Sequence, residues 1–421
     1  MLLKLTLAFT LIFIYVSVFA AQTNAFIFSI GLLYENSDNI RLTPTNTVSD
    51  NILHELLAID YNNESATYLA HLNMSVDHQD YQNNSYPEQT TVSSFLELNA
   101  TLNKNKAYWD TNNRHDKVQT NNSLPNTPNN LENANYFSTG PRIVFFKNKK
   151  DSLNASLKYQ NFYAQTTEND YSGYIANLLY NRNITRTFST GLEINYNDKM
   201  FDNTTVNTDY SKTDVTINFK KQMKLYKLEV DLGESYINGK ESQDYQNSIF
   251  RAKYNYQLGE QTILNLSYKR ELQDFSGLFA TPTPQDGNLS NVGSNIFILE
   301  EGVASLVKNI GFSSIILNYT YFSNEYSDPT SNTITNTTSL TLTNNLSTST
   351  SLYFNSLYSG IEYTGLNRND TNRVYSVGLK RIFSNTYDLT LTAIYTNHGS
   401  TNSNFIYNET RISAGGHYYF R

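Results

Sequence analysis

Over most of the chain, apolar and polar side chains alternate one by one. Leu153, Ala155, Leu157 and Tyr159 interleave with Asn154, Ser156, Lys158 and Gln160. Val215, Ile217 and Phe219 interleave with Thr216, Asn218 and Lys220, and Phe250, Ala252, Tyr254 and Tyr256 with Arg251, Lys253 and Asn255. Successive side chains of a strand point to opposite faces, so each segment predicts a strand with one apolar and one polar face. Helical periodicity is nearly absent after the first twenty residues. A soluble antiparallel sheet and an outer-membrane barrel both present such faces, and the connections separate them. Short connections (Asn62-Asn63-Glu64, 147–150, 181–185, 221–224, Gly259-Glu260, Lys308-Asn309, Asn385-Thr386) alternate with longer ones rich in Asn, Asp, Ser, Thr and Pro. The longer class comprises 79–91, 108–136, 198–212, 274–293, 324–334 and 397–404. Short turns at one rim and long loops at the other are a transmembrane barrel's signature.

The expected fold is therefore all-β: a large single-chain antiparallel transmembrane β-barrel with short periplasmic turns and longer extracellular loops. Segment counting gives about 20 strands, or about 18 if the stretches near 104–110 and 335–347 merge with their neighbours. A barrel this wide does not fill its interior with side chains, so a pore or a plugged lumen is expected. Residues 108–136, the most polar stretch, read as an extracellular loop or an inward-folded constriction. The 274–293 loop carries Phe275, Leu278 and Phe279 before Pro282 and Pro284, and could pack into the lumen.

Composition then narrows compartment and chemistry. The 421 residues include no Cys, 33 Tyr, 23 Phe and one Trp, with net charge -7 and mean hydropathy -0.49. So many aromatics exclude a disordered chain. The missing Cys excludes disulfide scaffolds, thiolate metal sites and thiol nucleophiles, and suits an oxidising periplasm. The acidic balance offers no footprint for nucleic acid. Residues 1–20 read as a signal peptide, with Lys4, an apolar run Leu5–Val18, and cleavage at Val18-Phe19-Ala20 or Thr23-Asn24-Ala25. Residues 21–421 then form one barrel domain in the outer membrane of a Gram-negative cell.

Two stretches carry resemblances. Ser413, Gly415, Tyr418 and Phe420 resemble the C-terminal targeting strand of outer-membrane barrels, which implies the barrel-assembly machinery as a partner; Arg421 after the last aromatic is a departure. By parity Ile412, Ala414, Gly416, Tyr418 and Phe420 face lipid. Near the start, residues 31–42 (GLLYENSDNIRL) lead into Pro44 and Ser49-Asp50, and Gly140-Pro141-Arg142 follows later. This pattern resembles the outer-membrane barrel proteins found with exopolysaccharide and exosortase (PEP-CTERM) systems. The resemblance implies a role in exopolysaccharide export or envelope assembly and carries over no catalytic residue.

Candidate chemistry is concentrated on the polar faces. Lys158, Glu193, Lys220, Lys227, Glu229, Asp231, Arg251, Lys253 and Lys269 are expected to line the lumen. They would act as a hydrated conduit of mixed sign or as cross-strand ion pairs. Most Tyr fall on the apolar parity, as Tyr159, Tyr196, Tyr254, Tyr268 and Tyr319 do, and suit interfacial girdles better than sugar platforms. His398-Gly399-Ser400 sets His and Ser two apart with Glu409 nearby, but reads as a turn rather than a lipolytic site. The six His lack metal-ligand spacing apart from His71 and His78, and no cofactor motif is present. The reading is a non-enzymatic conduit contacting outer-membrane lipid and polysaccharide, with a diffusion porin or an adhesive barrel as alternatives.

Overall fold

A strand with one apolar face needs lipid or a second sheet against it, and a sheet in lipid needs every edge paired. The computed structural model meets both demands with one closed antiparallel barrel of twenty strands. It describes residues 26–121, 123–167, 169–203, 208–239, 244–280, 296–326 and 331–420. The expected signal peptide, 1–20, lies outside the described residues, as does Arg421.

The first ten strands are β1 (Phe26–Ser37), β2 (Asp50–Glu64), β3 (Tyr68–Tyr81), β4 (Gln89–Asn103), β5 (Ala107–Gln119), β6 (Leu131–Lys147), β7 (Asp151–Ala164), β8 (Tyr171–Asn183), β9 (Phe188–Phe201) and β10 (Tyr210–Gln222). The second ten are β11 (Tyr226–Gly239), β12 (Tyr245–Gly259), β13 (Thr262–Gln273), β14 (Phe297–Ile310), β15 (Ser313–Tyr326), β16 (Thr333–Asn345), β17 (Thr350–Tyr363), β18 (Arg368–Ser384), β19 (Tyr387–Ser400) and β20 (Tyr407–Phe420). A short helix, α1 (Phe275–Ala280), follows β13. Each strand pairs with its sequence neighbour. The ring closes where β1 meets β20, from Phe28 opposite Phe420 to Ser37 opposite Arg411. Inside that seam Arg411 holds Glu409 at 2.7 Å and Glu35 at 3.3 Å. Outside it the Phe28 and Phe420 rings lie 5.2 Å apart.

The strands run 12 to 17 residues, longer than the roughly 9–11 that a tilted spanning strand needs. The excess extends the wall beyond the bilayer and explains two departures from the sequence reading. Residues 108–136 are not a loop: β5 and β6 occupy most of that stretch, and the connection is only 120–130. β5 (AYWDTNNRHDKVQ) carries polar residues on both parities beyond Trp109, so it lacks the alternation that marks a spanning segment. The segments near 104–110 and 335–347 are separate strands, β5 and β16, which sets the count at twenty. Asn62-Asn63-Glu64 and Lys308-Asn309 are strand ends rather than turns, with the chain reversing just beyond each.

Alternation survives in three dimensions. Leu157, Ile217, Tyr159, Tyr196, Tyr268 and Tyr319 are exposed on the lipid-facing side, and Tyr254 shares that face by register with Tyr268 through Ala252. In β20, Ile412, Ala414, Tyr418 and Phe420 are exposed while Gly415 is buried. Ser413 and Gly415 point inward, and Tyr418 meets Phe420 edge-on at 4.7 Å. One inward glycine is required by its neighbour: a Cβ on Gly378 would stand 2.1 Å from the Tyr353 ring, which crosses it to bond Thr392 through its hydroxyl at 2.6 Å.

Gly378→Ala should therefore displace Tyr353 at a cost of about 1–3 kcal/mol, as overpacking does elsewhere. Gel migration after graded heating checks this. The unfolding shift should come at lower temperature in the variant, and an unchanged profile would contradict the packing.

Candidate functional site

The inner wall of β7 to β13 is built from the polar parity, and all nine charged residues expected there stand on it. Register sets Glu229 opposite Lys253 and Asp231 opposite Arg251. Glu229 lies 2.9 Å from Lys227 and 3.7 Å from Lys220. Arg251 bridges Asp231 at 3.9 Å and Glu271 at 2.6 Å, and Lys269 meets Glu301 at 2.5 Å. Lys158 and Arg142 share Asp110, and Glu193 accepts from the Asn177 amide at 2.7 Å. The inner wall of these strands is thus a net of paired charges, each exposed pair worth about 1 kcal/mol or less.

Nearer the extracellular rim the inner wall changes character. Tyr136, Phe162, Tyr171, Phe201 and Tyr210, on five strands from β6 to β10, turn buried aromatic rings inward. Their partner is α1. The chain leaves β13, turns into the barrel and lays Phe275 and Phe279 on Phe162, each ring at 6.0 Å. Arg114 of β5 covers the Phe279 ring at 4.9 Å and donates to its carbonyl at 3.1 Å. So the first part of the 274–293 loop packs into the lumen. Its remainder beyond residue 280, and the Leu278 side chain, lie outside the described residues.

A buried ion pair ties this segment down. Lys199, on the inward parity of β9, has a side chain only 2% exposed and is bound to the Asp274 carboxylate. The Tyr210 hydroxyl also donates to Asp274, and the Gly277 N–H does so at 2.7 Å. Ser276 completes the knot: its hydroxyl donates to Asp274 at 2.8 Å while accepting from Lys199 at 2.6 Å and Tyr171 at 2.9 Å. Lys212 adds a bond to the Leu272 carbonyl at 2.6 Å. Burial alone would push the Asp274 carboxyl up. The Lys199 charge and the bonds from Lys199, Tyr210 and Gly277 outweigh it and hold the group well below the usual carboxylate range.

A second segment enters from the other side. Residues 120–130 fold around the buried Asn130 amide, which donates to the carbonyls of Asn121 at 2.7 Å and Pro125 at 3.1 Å and accepts from Thr120 at 2.9 Å. Thr127 of this segment bonds Tyr86 in the β3–β4 loop. Leu124 and Pro125 then face β16 to β20 across a cavity of about 510 Å³. A segment hinged at β5 and β6 reaches that wall only by crossing the lumen.

The cavity brings together residues that the sequence left apart. His398 stacks on Tyr407 at 4.8 Å, and the Arg368 guanidinium lies between Tyr363 at 4.0 Å and Phe405 at 4.3 Å. Asp370 sits 3.2 Å from Arg368 and 3.6 Å from His398. His398-Gly399-Ser400 is the end of β19 rather than a turn. Ser400 donates to Asp370 at 2.6 Å, so the carboxylate stands between His and Ser and not behind the His, as an activated serine would require.

Lys199, Asp274, Tyr171, Tyr210 and Ser276 escaped the sequence reading. A signal was present: Phe162, Tyr171, Phe201 and Tyr210 fall on the polar parity at neighbouring ends of successive strands, where a water-filled lumen would not favour them.

No family model and no curated protein matches the sequence. Solved structures do match in fold. A point mutant of the ferric enterobactin receptor PfeA of Pseudomonas aeruginosa, in complex with enterobactin, aligns at 9% identity over 95% of this chain and 82% of its own, with a TM-score of 0.51. A mutant of that receptor aligns at 10% identity over 95% and 81%, also with a TM-score of 0.51. The siderophore receptor PirA of the same organism gives 9% identity, 95% and 81% coverage and a TM-score of 0.48. At such identities the similarity is one of fold. The chain is an outer-membrane β-barrel whose architecture is like that of siderophore-receptor barrels.

Asp274→Asn leaves Lys199 buried and uncompensated at about 3–5 kcal/mol, enough to undock α1 while the wall stays folded. Chymotrypsin should then cut after Phe275 or Phe279 in the variant and spare the native chain, and adding Lys199→Met should restore protection. The pH sign follows from the depressed carboxyl. Its contribution is complete above the free carboxyl's value of about 3.9 and is lost only as pH falls through the lower docked value. Protection should accordingly persist from neutrality to about pH 4; release near pH 5 would contradict the latch.

Proposed function

We propose that this barrel is a gated outer-membrane conduit for small uncharged, hydroxyl-rich solutes, closed at rest by its own segments 274–280 and 120–130. One observation carries the reading: the Lys199–Asp274 pair fastens the start of the β13–β14 loop inside a lumen that would otherwise be wide. Buried charge pairs contribute little net stability compared with an apolar packing. What this one supplies is a position, a segment across the solute path.

The solute class follows from the chamber beneath 120–130. Its size falls within the range of small-molecule sites. Ring faces from His398, Tyr407 and Phe405 line one side, and Thr337, Asn355 and Asn372 supply hydroxyl and amide groups on another. The Asn372 carbonyl oxygen is buried and has no hydrogen-bond partner. Asp370, the one carboxylate lining the chamber, already faces Arg368. Aromatic faces beside amides, with no unpaired charge, suit the C–H faces and hydroxyls of a sugar ring better than an anion. Export of exopolysaccharide, implied by the N-terminal resemblance, is the second reading and draws on the same lining. A pore left fully open for diffusion would carry no segment latched across it.

In planar bilayers the native chain should show rare, brief openings, and Asp274→Asn should raise open probability at least tenfold. Equal, persistent currents from both would make it a porin; silence from both, even with 120–130 shortened, would make it a structural barrel. Calorimetric titration with maltose in a non-glycosidic detergent addresses the chamber separately, with binding expected and lost in His398→Ala. A deletion strain that loses surface polysaccharide while keeping solute permeability would favour export.

A further inference from the structure

The net charge of -7 conceals a steep separation along the barrel axis. Four consecutive short turns, joining β4–β5, β6–β7, β8–β9 and β10–β11, are basic. Lys104 and Lys106 stand in the first, Lys149 and Lys150 in the second with Lys147 at the end of β6 beside them, Arg186 in the third, and Lys224 in the fourth with Lys221 at the end of β10 beside it. All eight are exposed, and none forms an ion pair among the described residues. Within these turns the only acid is Asp151, which already holds Arg182 at 3.9 Å and the Tyr180 hydroxyl at 2.8 Å. Elsewhere on the same rim the β2–β3 and β12–β13 connections carry Glu64 and Glu260, the ends of β14 and β18 carry the isolated Lys308 and Arg381, and the β16–β17 turn carries no charge. Asp38, Glu88, Asp170, Asp202 and Asp209 belong to loops at the opposite end.

The strands β4 to β11 are contiguous, so the four turns form one arc of the periplasmic rim. Neighbouring strands lie about 4.8 Å apart, which sets successive turns roughly 10 Å apart. That spacing is close to the Debye length at physiological salt, so the charges repel one another and share counter-ions. The same turns and the strand end beside them also carry exposed apolar side chains: Phe145 in the last residues of β6 at 60%, and Ile184 and Leu225 in turns at 53% and 48% exposure. Apolar side chains bare at a turn place the hydrocarbon boundary at that turn. The basic ends then stand at headgroup depth, their stems snorkelling past the apolar ring.

We propose that this basic arc is a binding surface for anionic phospholipid headgroups of the periplasmic leaflet. An acidic protein would meet the charges but leave the apolar residues between them without a partner; a lipid answers both. The arc would keep a fixed annulus of anionic lipid on one side of the barrel, beside the wall that carries Lys199 and α1. The proposal stands independently of the solute conduit.

The full-length mature chain, in mixed micelles of phosphatidylcholine with a minority of phosphatidylglycerol, tests it by native mass spectrometry of co-retained lipid. One near-surface Lys or Arg is worth about a fivefold preference for an anionic surface. Phosphatidylglycerol should be enriched at least that much, and the enrichment should fall as salt is raised. The combined variant Lys149→Gln, Lys150→Gln, Arg186→Gln and Lys224→Gln should lose it, while Lys308→Gln on the far side of the rim keeps it. Heat-modifiable migration verifies that each variant is folded. Absence of enrichment in the native chain, equal enrichment in the fourfold variant, or retention of an acidic protein without lipid preference would each overturn the proposal.

Discussion

Everything in this molecule depends on satisfying backbone hydrogen bonds where no water is available. A sheet edge left open in hydrocarbon costs several kcal/mol for each bare N–H or carbonyl, so the sheet closes on itself. The β1–β20 seam is where that requirement is met, and it joins the two ends of the chain in one ladder. Arg411, Glu35 and Glu409 reinforce it on the water side, and Phe28 with Phe420 on the lipid side. Closing twenty strands leaves a lumen too wide to fill with wall side chains. The interior must then hold water, ions or another part of the chain.

The molecule divides that interior in two. Towards the periplasm it is lined with opposite charges held in register, with Glu229 against Lys253 and Asp231 against Arg251. Towards the cell exterior, aromatic rings of β6 to β10 join the charges and the chain folds inward upon them. An apolar inner wall exposed to water would gain nothing; under Phe275 and Phe279 it becomes a seat. The Lys199–Asp274 pair fixes how that seat is occupied, because a buried cation and carboxylate accept few alternative geometries. Strand extensions beyond the bilayer provide the height at which this can happen without disturbing the membrane band.

The class of fold was legible because lipid imposes strict alternation, and segments such as Leu153–Gln160 obey it. β5 was not legible because Asn112, Asn113, Arg114, His115 and Asp116 put polar residues on both of its parities, while the apolar outward neighbours of Asn113, Leu96 and Phe137, lie on the adjacent strands. The lumen charges could be placed by parity alone. The latch could not, since Lys199 and Asp274 are 75 residues apart and only the inward turn after β13 brings them together. The aromatic residues on the polar parity were the readable trace of that turn. His398 and Ser400 show the converse: their Gly/Ser/Asn surroundings suggested a turn, but a strand end carries them and both reach Asp370.

The central claim is that the extracellular half of the lumen is occupied by α1 in the native membrane. The chain has no Cys, so a single introduced pair reports without background. With Phe162→Cys and Phe279→Cys in the intact outer membrane, the account predicts that a short bis-maleimide couples the two thiols within one chain and that they then resist labelling by a fluorescent maleimide. Two free, fully labelled thiols in a folded barrel would contradict it.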